Sequence, residues 1–217
     1  MKEILILAGP SAVGKTTVAH ELMRGEIPFE LVRSVTTRAP RGDSYDAEYI
    51  YLSNEEFLSL NSSGGVLEYT EYAGAFYGTP RSEIERILCA GRYPLLILDL
   101  EGVKSLAERA GDISPCALYL WDGIEVMDKR LESRYLGSSV SEENLARLSS
   151  RKAQNRRDYA KIANYACHFY AFVENSQEIS VTAVAVKSVF ESFLSGKSRD
   201  GEDVEKISGR LSASVRA

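Results

Sequence analysis

A glycine-rich segment near the start of the chain has residue types and spacing suited to binding phosphate. Residues 9–16 match the pattern G-x-x-x-x-G-K-[ST], which ends here on Gly14, Lys15 and Thr16. The glycines let the backbone curl so that its N–H groups point at a β-phosphate, the lysine reaches the β- and γ-phosphates, and the hydroxyl can ligate Mg²⁺. An apolar strand pattern precedes the segment and a helical pattern follows it, so the positive end of a helix also faces the anion. We therefore predict a nucleotide-binding loop rather than a glycine-rich turn beside an unrelated lysine.

A pair of arginines is a candidate for holding a second phosphate. Arg38 and Arg41 stand three residues apart on either side of Pro40. Two guanidinium groups at this spacing can converge on one phosphate, each through paired hydrogen bonds. The alternative is that both are solvated loop residues, which contribute little.

An aspartate and a run of basic residues complete the candidates. Asp99 follows the most apolar strand pattern, residues 94–98, at its carboxyl end, where open α/β sheets bind ligands. A carboxylate there can hold Mg²⁺ through water or position an acceptor. Most basic residues of the run are expected on a solvated helix face. The run comprises Arg130, Arg134, Arg147, Arg151, Lys152, Arg156 and Arg157.

Strand and helix patterns alternate along the chain, with residues 31–35 as a weaker second strand. This alternation predicts an α/β fold of three layers around a mostly parallel central sheet. We expect one domain over residues 1–194, in which 1–33 and 81–194 form the core. Residues 34–80 would form a small mixed acceptor-binding lobe and about 135–155 a helical lid. Residues 195–217 are polar and charged, and we expect a disordered tail there.

The composition restricts the class of protein. Of 217 residues, 44% are hydrophobic, which suffices for a packed core, and the net charge of −5 favours neither nucleic acid nor an anionic membrane as a partner. Three scattered cysteines form no disulfide framework and have no zinc-site spacing. The apolar run Ile4–Ala8 is too short for an export signal or a membrane span, so we expect a cytoplasmic protein.

Three further motifs occur in an order and at separations that resemble those of guanylate kinases. Residues 34–41 match S-x-T-T-R-x-P-R, the acceptor-phosphate motif of that family. Glu68 followed by residues 77–79, Tyr-Gly-Thr, looks like its second motif, and residues 98–103 resemble its third. The resemblance covers about residues 3–194. It implies transfer of the γ-phosphoryl group of ATP, with Mg²⁺, to GMP or dGMP, giving ADP and GDP.

The resemblance also implies roles for particular side chains at the acceptor. Arg38, Arg41, Tyr49 and Tyr77 would grip the GMP phosphate. Glu68 and Ser34 would bind the guanine with help from Thr79, since a carboxylate accepts hydrogen bonds from both N1–H and the N2 amino group, which adenine does not offer as a pair. Without the motif order, Glu68 would be interpreted as a surface glutamate and the tyrosines as half-buried core residues. The GMP-binding set is Ser34, Arg38, Arg41, Tyr49, Glu68, Tyr77, Thr79 and Asp99.

On the donor side, Arg134 and Arg151 match the lid arginines of the family, with Arg147 as the competing alignment for the latter. A lid excludes water and its arginines stabilise the transferring phosphoryl group. Asn175 stands where the family contacts the adenine. The predicted catalytic residues are Lys15, Arg38, Arg134 and Arg151, and the metal ligands Thr16 and Asp99. The ATP-binding set is Gly9, Pro10, Ser11, Ala12, Val13, Gly14, Lys15, Thr16, Thr17 and Asn175.

The chain departs from the family pattern at two positions. Ile97 replaces an aspartate, which removes one acceptor or metal contact, and Ala12 replaces a frequent glycine, a change that we expect to be mild. A P-loop kinase with a different phosphorylated acceptor is one alternative. A non-catalytic binding module of the same fold is another, although such modules characteristically lose the loop glycines and lysine that Gly14 and Lys15 preserve here.

Overall fold

The computed structural model describes residues 2–40, 44–72, 74–137 and 141–215. Within these residues the strands are β1 (Lys2–Ala8), β2 (Phe29–Leu31), β3 (Ser34–Thr36), β4 (Tyr49–Tyr51), β5 (Val66–Tyr72), β6 (Ala75–Pro80), β7 (Tyr93–Ile97), β8 (Ile113–Trp121) and β9 (Ala171–Glu174). The helices are α1 (Lys15–Met23), α2 (Asn54–Ser62), α3 (Arg81–Cys89), α4 (Leu100–Arg109), α5 (Ile124–Leu136), α6 (Glu142–Lys161), α7 (Ile179–Leu194) and α8 (Gly201–Ser214). Short 3-10 helices cover Ser44–Glu48 and Ile162–His168.

The central sheet has the strand order β2-β7-β1-β8-β9, and its neighbouring strands pair in parallel. Residues 4–8 of β1 are fully buried between β7 and β8, as expected where helices cover both faces of a sheet. Parallel strands end at a common edge, so the loop after β1 and the segment after β7 open towards each other. The predicted α/β class with a mostly parallel sheet is confirmed.

A second, mixed sheet forms a small lobe with the order β4-β3-β6-β5. The β3–β4 pair is parallel, whereas β6 runs antiparallel to both β3 and β5. The lobe has its own apolar cluster, in which Phe57 of α2 stacks on Phe76 with ring centroids 5.0 Å apart. Helix α2 begins with a capping box, since Ser53 Oγ accepts from the Glu56 amide and the Glu56 carboxylate accepts from the Ser53 amide.

The predicted second strand over residues 31–35 is divided between the two sheets. The Val32 amide still donates to the Leu95 carbonyl of the central sheet, at 2.9 Å, whereas Ser34 pairs with Tyr49 in the small sheet. Arg33 is exposed at the crossing and its guanidinium binds Glu83. The apolar pattern is therefore continuous through a point at which the chain changes sheets.

The expectation of a disordered tail after residue 194 is wrong. Residues 201–214 form helix α8, which begins where the Asp200 carboxylate accepts from the Asp203 amide at 3.0 Å. Val204 and Leu211 are buried against the main core. One apolar face is enough to hold a helix against an existing surface, even when the overall composition is polar and charged.

None of the helices in the described ranges combines the length and the apolar content needed to cross a lipid bilayer.

The packing of α8 predicts that Leu211→Ala lowers the free energy of unfolding by about 2–4 kcal/mol, because it leaves a cavity in the main core. Leu145→Ala is the matched control, since Leu145 is 46% exposed on α6 and its truncation should change little. Urea denaturation followed by circular dichroism measures both. Equal, negligible effects would mean that α8 does not dock.

Candidate active site

The phosphate-binding loop requires both of its glycines for backbone reasons. Gly9 has φ +142° and Gly14 has φ +101°, conformations that side chains rarely adopt. A Cβ atom at Gly9 would overlap the Leu120 carbonyl oxygen, and one at Gly14 would lie 2.5 Å from Asn175 Nδ2. The loop therefore passes close to the elements behind it, and α1 begins directly after Gly14.

Lys15 is folded against the loop that it follows. Its ammonium group donates to the carbonyl oxygens of Gly9 and Pro10, at 2.7 and 2.9 Å. Burial lowers the pKa of Lys15 to about 8, and the positive charges of Arg151 and Arg134 act in the same direction. Negatively charged phosphate oxygens close to this amine would raise its pKa again and favour the protonated form.

Clefts on both sides of Lys15 give access to the loop. The larger, of about 490 Å³, extends from the loop to Asp99 and Glu101 at the start of α4 and to Asp158 on α6. The smaller, of about 240 Å³, is lined by Thr16, Thr17, Arg134 and Arg151. Lys15 and Arg151 line both clefts, so each cleft is bordered by these two basic side chains.

Buried asparagines hold the loop from behind. The Asn155 amide on α6 accepts from Ser11 N at 2.7 Å and donates to Ser11 O at 3.0 Å, and its side chain is fully buried. Asn175, after β9, donates to the Val13 carbonyl at 2.6 Å and accepts from the Thr182 hydroxyl at 2.5 Å. These bonds satisfy peptide groups that the irregular loop cannot pair internally.

This placement corrects the role that the resemblance implied for Asn175. Its side chain is buried and directed at the loop backbone, so it positions the loop instead of facing an adenine ring. Asn155 did not appear among the candidates at all. The available signal was that Asn155 follows Arg151 by four residues, which places both on one face of a helix. An uncharged polar residue in a charged helix is not distinctive, however.

Ala12 is not the mild change that we expected. With φ +64°, it is the one non-glycine residue of left-handed conformation among the residues that the structure describes. A side chain in this region costs about 1–2 kcal/mol relative to the right-handed conformation. The glycine that is frequent at this position in the family avoids this cost, because it has no Cβ atom.

On the acceptor side, Arg38 is fixed against the wall of the small sheet. Its guanidinium donates to the Ala39 carbonyl at 3.0 Å and to Asp46 and the Tyr51 hydroxyl, each at 3.3 Å. It also lies over the Tyr49 ring, 5.4 Å from the centroid. Asp46 and Tyr51 were not among the predicted site residues, although the alternation of Tyr49 and Tyr51 along β4 was a signal that the two tyrosines share a face.

Tyr49, Tyr77 and Arg41 are the other candidates for binding the acceptor phosphate. Tyr77 packs edge-on against Tyr49 with ring centroids 6.1 Å apart, so this pair lies beside Arg38. Arg41 lies outside the described residues.

Glu68 of β5 is a buried carboxylate. It is 6% exposed and accepts a hydrogen bond from the Thr79 hydroxyl at 2.6 Å. Burial raises the pKa of Glu68 to about 7, although the Thr79 bond opposes the shift, and the negative charge of Asp99 adds to it. The structure thus brings together Glu68, Thr79 and Asp99. Ser34 lies on β3, two strands away from β5 in the sheet order.

Gly102 lets the two lobes meet at these carboxylates. A Cβ atom there would lie 3.2 Å from Asp99 Oδ1 and 3.4 Å from Glu68 Oε2. Asp99 Oδ1 also caps α4 by accepting from the Gly102 amide at 2.7 Å. Ile97, the departure from the family pattern, lines the larger cleft beside Asp99.

The three arginines considered for the lid lie in different places. Arg134, near the end of α5, and Arg151 on α6 both line the smaller cleft beside Thr16. Arg147 instead pairs with Glu143 at 2.5 Å on an exposed face. Position therefore favours Arg151 over Arg147. Gln154 donates to Asp158 at 2.7 Å on the wall of the larger cleft. Neither residue was predicted from the sequence.

The oxygen groups beside Lys15 fit a magnesium ion that arrives with a nucleotide. Mg²⁺ prefers oxygen ligands and keeps several of its waters and phosphate contacts in nucleotide sites. The Thr16 hydroxyl lines the smaller cleft and the Asp99 carboxylate the larger one. This donor set, a hydroxyl and a carboxylate, is of the required chemistry.

The fold and loop define a P-loop α/β phosphotransferase of the nucleoside monophosphate kinase class, and comparison with known proteins specifies it further. The family model "Guanylate kinase" matches residues 1–192. The guanylate kinase of Lactobacillus delbrueckii subsp. bulgaricus is 32% identical over 198 residues, covering 83% of this chain and 92% of that protein. That of Rickettsia prowazekii is 30% identical over 186 residues, covering 85% and 92%. The chain belongs to the guanylate kinase family.

A solved structure agrees at the level of the fold. The crystal structure of guanylate kinase from Anaplasma phagocytophilum superimposes with a TM-score of 0.59 at 24% identity, covering 88% of this chain and 85% of that one. Helix α8 lies beyond the residues that the family model matches.

The conformation of Ala12 predicts that Ala12→Gly raises the free energy of unfolding by about 0.5–1 kcal/mol, because relief of the left-handed strain exceeds the entropy that glycine loses on folding. Ala146→Gly, at an exposed position inside α6, should instead lower it by about 1 kcal/mol. Chemical denaturation of both variants gives the comparison. Destabilisation by both would show that position 12 is unstrained.

Proposed function

We propose that this protein transfers the γ-phosphoryl group of ATP to GMP or dGMP, giving ADP and GDP. The observation that carries the proposal is the buried Glu68 carboxylate, held by Thr79 in the acceptor lobe and brought beside Asp99 at Gly102. A carboxylate in a small sheet opposite a phosphate-binding loop suits recognition of a purine that presents adjacent N–H donors.

The donor is held by a loop that is organised before ATP binds. Gly9 and Gly14 shape the backbone, and Asn155 and Asn175 fix it, so its N–H groups need little reorganisation. The Lys15 ammonium exchanges the loop carbonyls for phosphate oxygens, whose charge restores its full protonation. Thr16 and, through water, Asp99 would hold the Mg²⁺ that accompanies ATP, and the ion would supply positive charge to offset the charge of the phosphates.

The acceptor is held in the small lobe by complementary charges. Arg38, with Arg41, binds the GMP phosphate, and Asp46 and Tyr51 keep the Arg38 guanidinium in place. Glu68, in its ionised form, accepts from N1–H and the N2 amino group of guanine. Adenine offers no such pair and leaves the buried carboxylate unsatisfied, which is costly.

Transfer takes place between the clefts. Arg134 and Arg151 supply positive charge to the oxygens of the moving phosphoryl group, and Lys15 bridges donor and acceptor sides. Closure of the end of α5 and the first turns of α6, ahead of Asn155, over the loop excludes water, which otherwise would accept the phosphoryl group.

We place the reaction in the cytoplasm. Cys89, Cys116 and Cys167 are free thiols, which suits a reducing compartment.

A different acceptor is the second candidate, because Ile97 puts an apolar side chain in the larger cleft beside Asp99. A sugar phosphate would leave Glu68 without a base to bind. Differences among nucleotide acceptors are therefore the question to test.

The decisive assay is Mg²⁺-dependent ADP release from ATP with GMP, dGMP, AMP and UMP as acceptors. We expect the highest kcat/KM with the guanine nucleotides, and we expect Lys15→Ala to lower it by roughly a hundredfold or more. Lys187→Ala is the matched control, since Lys187 of α7 forms a surface ion pair with Glu26, away from both clefts. Indifference to GMP would overturn the proposal.

The pKa of Glu68 predicts how acceptor binding depends on pH. Because the group has a pKa of about 7, it is protonated below that value and can no longer accept both guanine donors. The KM for GMP should therefore fall about twofold between pH 7 and 8, and below pH 7 it should rise towards about tenfold per unit. Below pH 7 the KM for ATP should follow only the titration of its own phosphate, because Lys15, with a pKa of about 8, is already protonated there.

Glu68→Gln is the control for this titration, because the GMP phosphate also titrates near pH 6. The variant should have a raised KM for GMP, and only the weaker pH dependence of the phosphate should remain. An unchanged pH profile in Glu68→Gln would show that Glu68 does not contact the base.

A further inference from the structure

Helix α8 binds the point at which α6 ends. Ser212 is buried, and its hydroxyl donates to the Tyr159 carbonyl at 3.0 Å and accepts from the Ala163 amide at 3.4 Å. The last carbonyls of a helix have few partners within the helix. The Tyr159 carbonyl accepts from the Ile162 amide, and Ser212 supplies it with a second donor where α6 gives way to the 3-10 helix Ile162–His168.

Arginines at either end of α8 extend this attachment. Arg199 donates to the carbonyls of Ala166, Cys167 and Phe169 at 3.2, 2.8 and 3.2 Å. Arg210 lies over the Trp121 ring, 4.9 Å from its centroid, at the end of β8. The helix is thus joined both to the segment after α6 and to the strand next to β1.

One face of α6 connects this attachment to the phosphate-binding loop. Arg151, Asn155 and Tyr159 follow one another at intervals of four residues, so they share a face of the helix. The Tyr159 hydroxyl donates to the Asp122 carbonyl at 2.5 Å and accepts from the Asp122 amide at 3.1 Å, and Asn155 binds Ser11 in the same paired manner. A shift of α6 along its axis would disturb both pairs together.

We propose that Ser212 is a positioning residue for the ATP site: through the carboxyl end of α6, it keeps Asn155 in register with Ser11 and Arg151 beside the loop. The proposal rests on the proposed function in that ATP is the donor. It assigns to α8, outside the region matched by the family model, a role in nucleotide affinity in addition to its packing. The contacts proposed for GMP at Arg38, Glu68 and Thr79 lie outside α6 and α8, so the affinity for GMP should change less than that for ATP.

The test compares Ser212→Ala with Ser208→Ala in the full-length chain. Both serines are buried on α8, but Ser208 donates to the Glu205 carbonyl of the same helix, whereas Ser212 donates to α6. Loss of a single hydrogen bond leaves a domain of this size folded. The readouts are KM for ATP and for GMP, the Kd of Mg²⁺–ATP by calorimetry, and amide hydrogen exchange of residues 9–14.

Ser212→Ala should raise KM and Kd for ATP about two- to tenfold, leave KM for GMP within about twofold, and speed amide exchange in the loop. Ser208→Ala should change none of these. Equal effects of both variants, or lost thermal stability with unchanged ATP affinity in Ser212→Ala, would overturn the proposal. If the wild-type protein phosphorylated none of the acceptors, the proposed function would fail, yet ATP binding and loop exchange would still decide the role of Ser212.

Discussion

The site depends on a short backbone segment being held still by side chains that are remote in sequence. Residues 9–14 contain left-handed conformations at Gly9, Ala12 and Gly14, which deprive the loop of regular internal hydrogen bonds. Asn155 and Asn175 supply the missing partners from 144 and 162 positions further along the chain. Because the loop binds phosphate through fixed N–H dipoles, its rigidity is part of its affinity. Helix α6 and the end of β9 are therefore components of the nucleotide site.

Local patterns predicted most of the fold. The apolar strand before the loop and the alternation of strands and helices both depend on neighbouring residues, and the structure confirms them. The two errors arose where tertiary contacts decide. Residues 31–35 cross between sheets, and no local signal marks the crossing at Arg33. The polar tail forms α8 because Val204 and Leu211 find a surface already present.

The candidate site could be predicted in its motifs but not in its supports. Lys15 is recognisable from the spacing of the loop motif, whereas Arg38 and Glu68 are recognisable from motifs that resemble those of a known family. Asn155 and Asp46 are ordinary polar residues. Their importance comes from partners that only the folded chain brings to them, Ser11 for Asn155 and Arg38 for Asp46. A single sequence contains no sign of such pairs. The same limit applies to Asn175, which was expected at the adenine and whose side chain binds the loop backbone at Val13.

The separation of apolar clusters affects how such an enzyme can diverge. Val35, Phe57 and Val66 pack within the acceptor lobe, whereas the neighbouring Leu67 belongs to the main core. Mutations that reshape the small cluster alter the wall that carries Arg38 and Tyr49 without disturbing the packing beneath the triphosphate loop. Evolutionary changes confined to this cluster can thus alter how firmly the acceptor phosphate is bound, while the packing that supports the triphosphate loop stays constant.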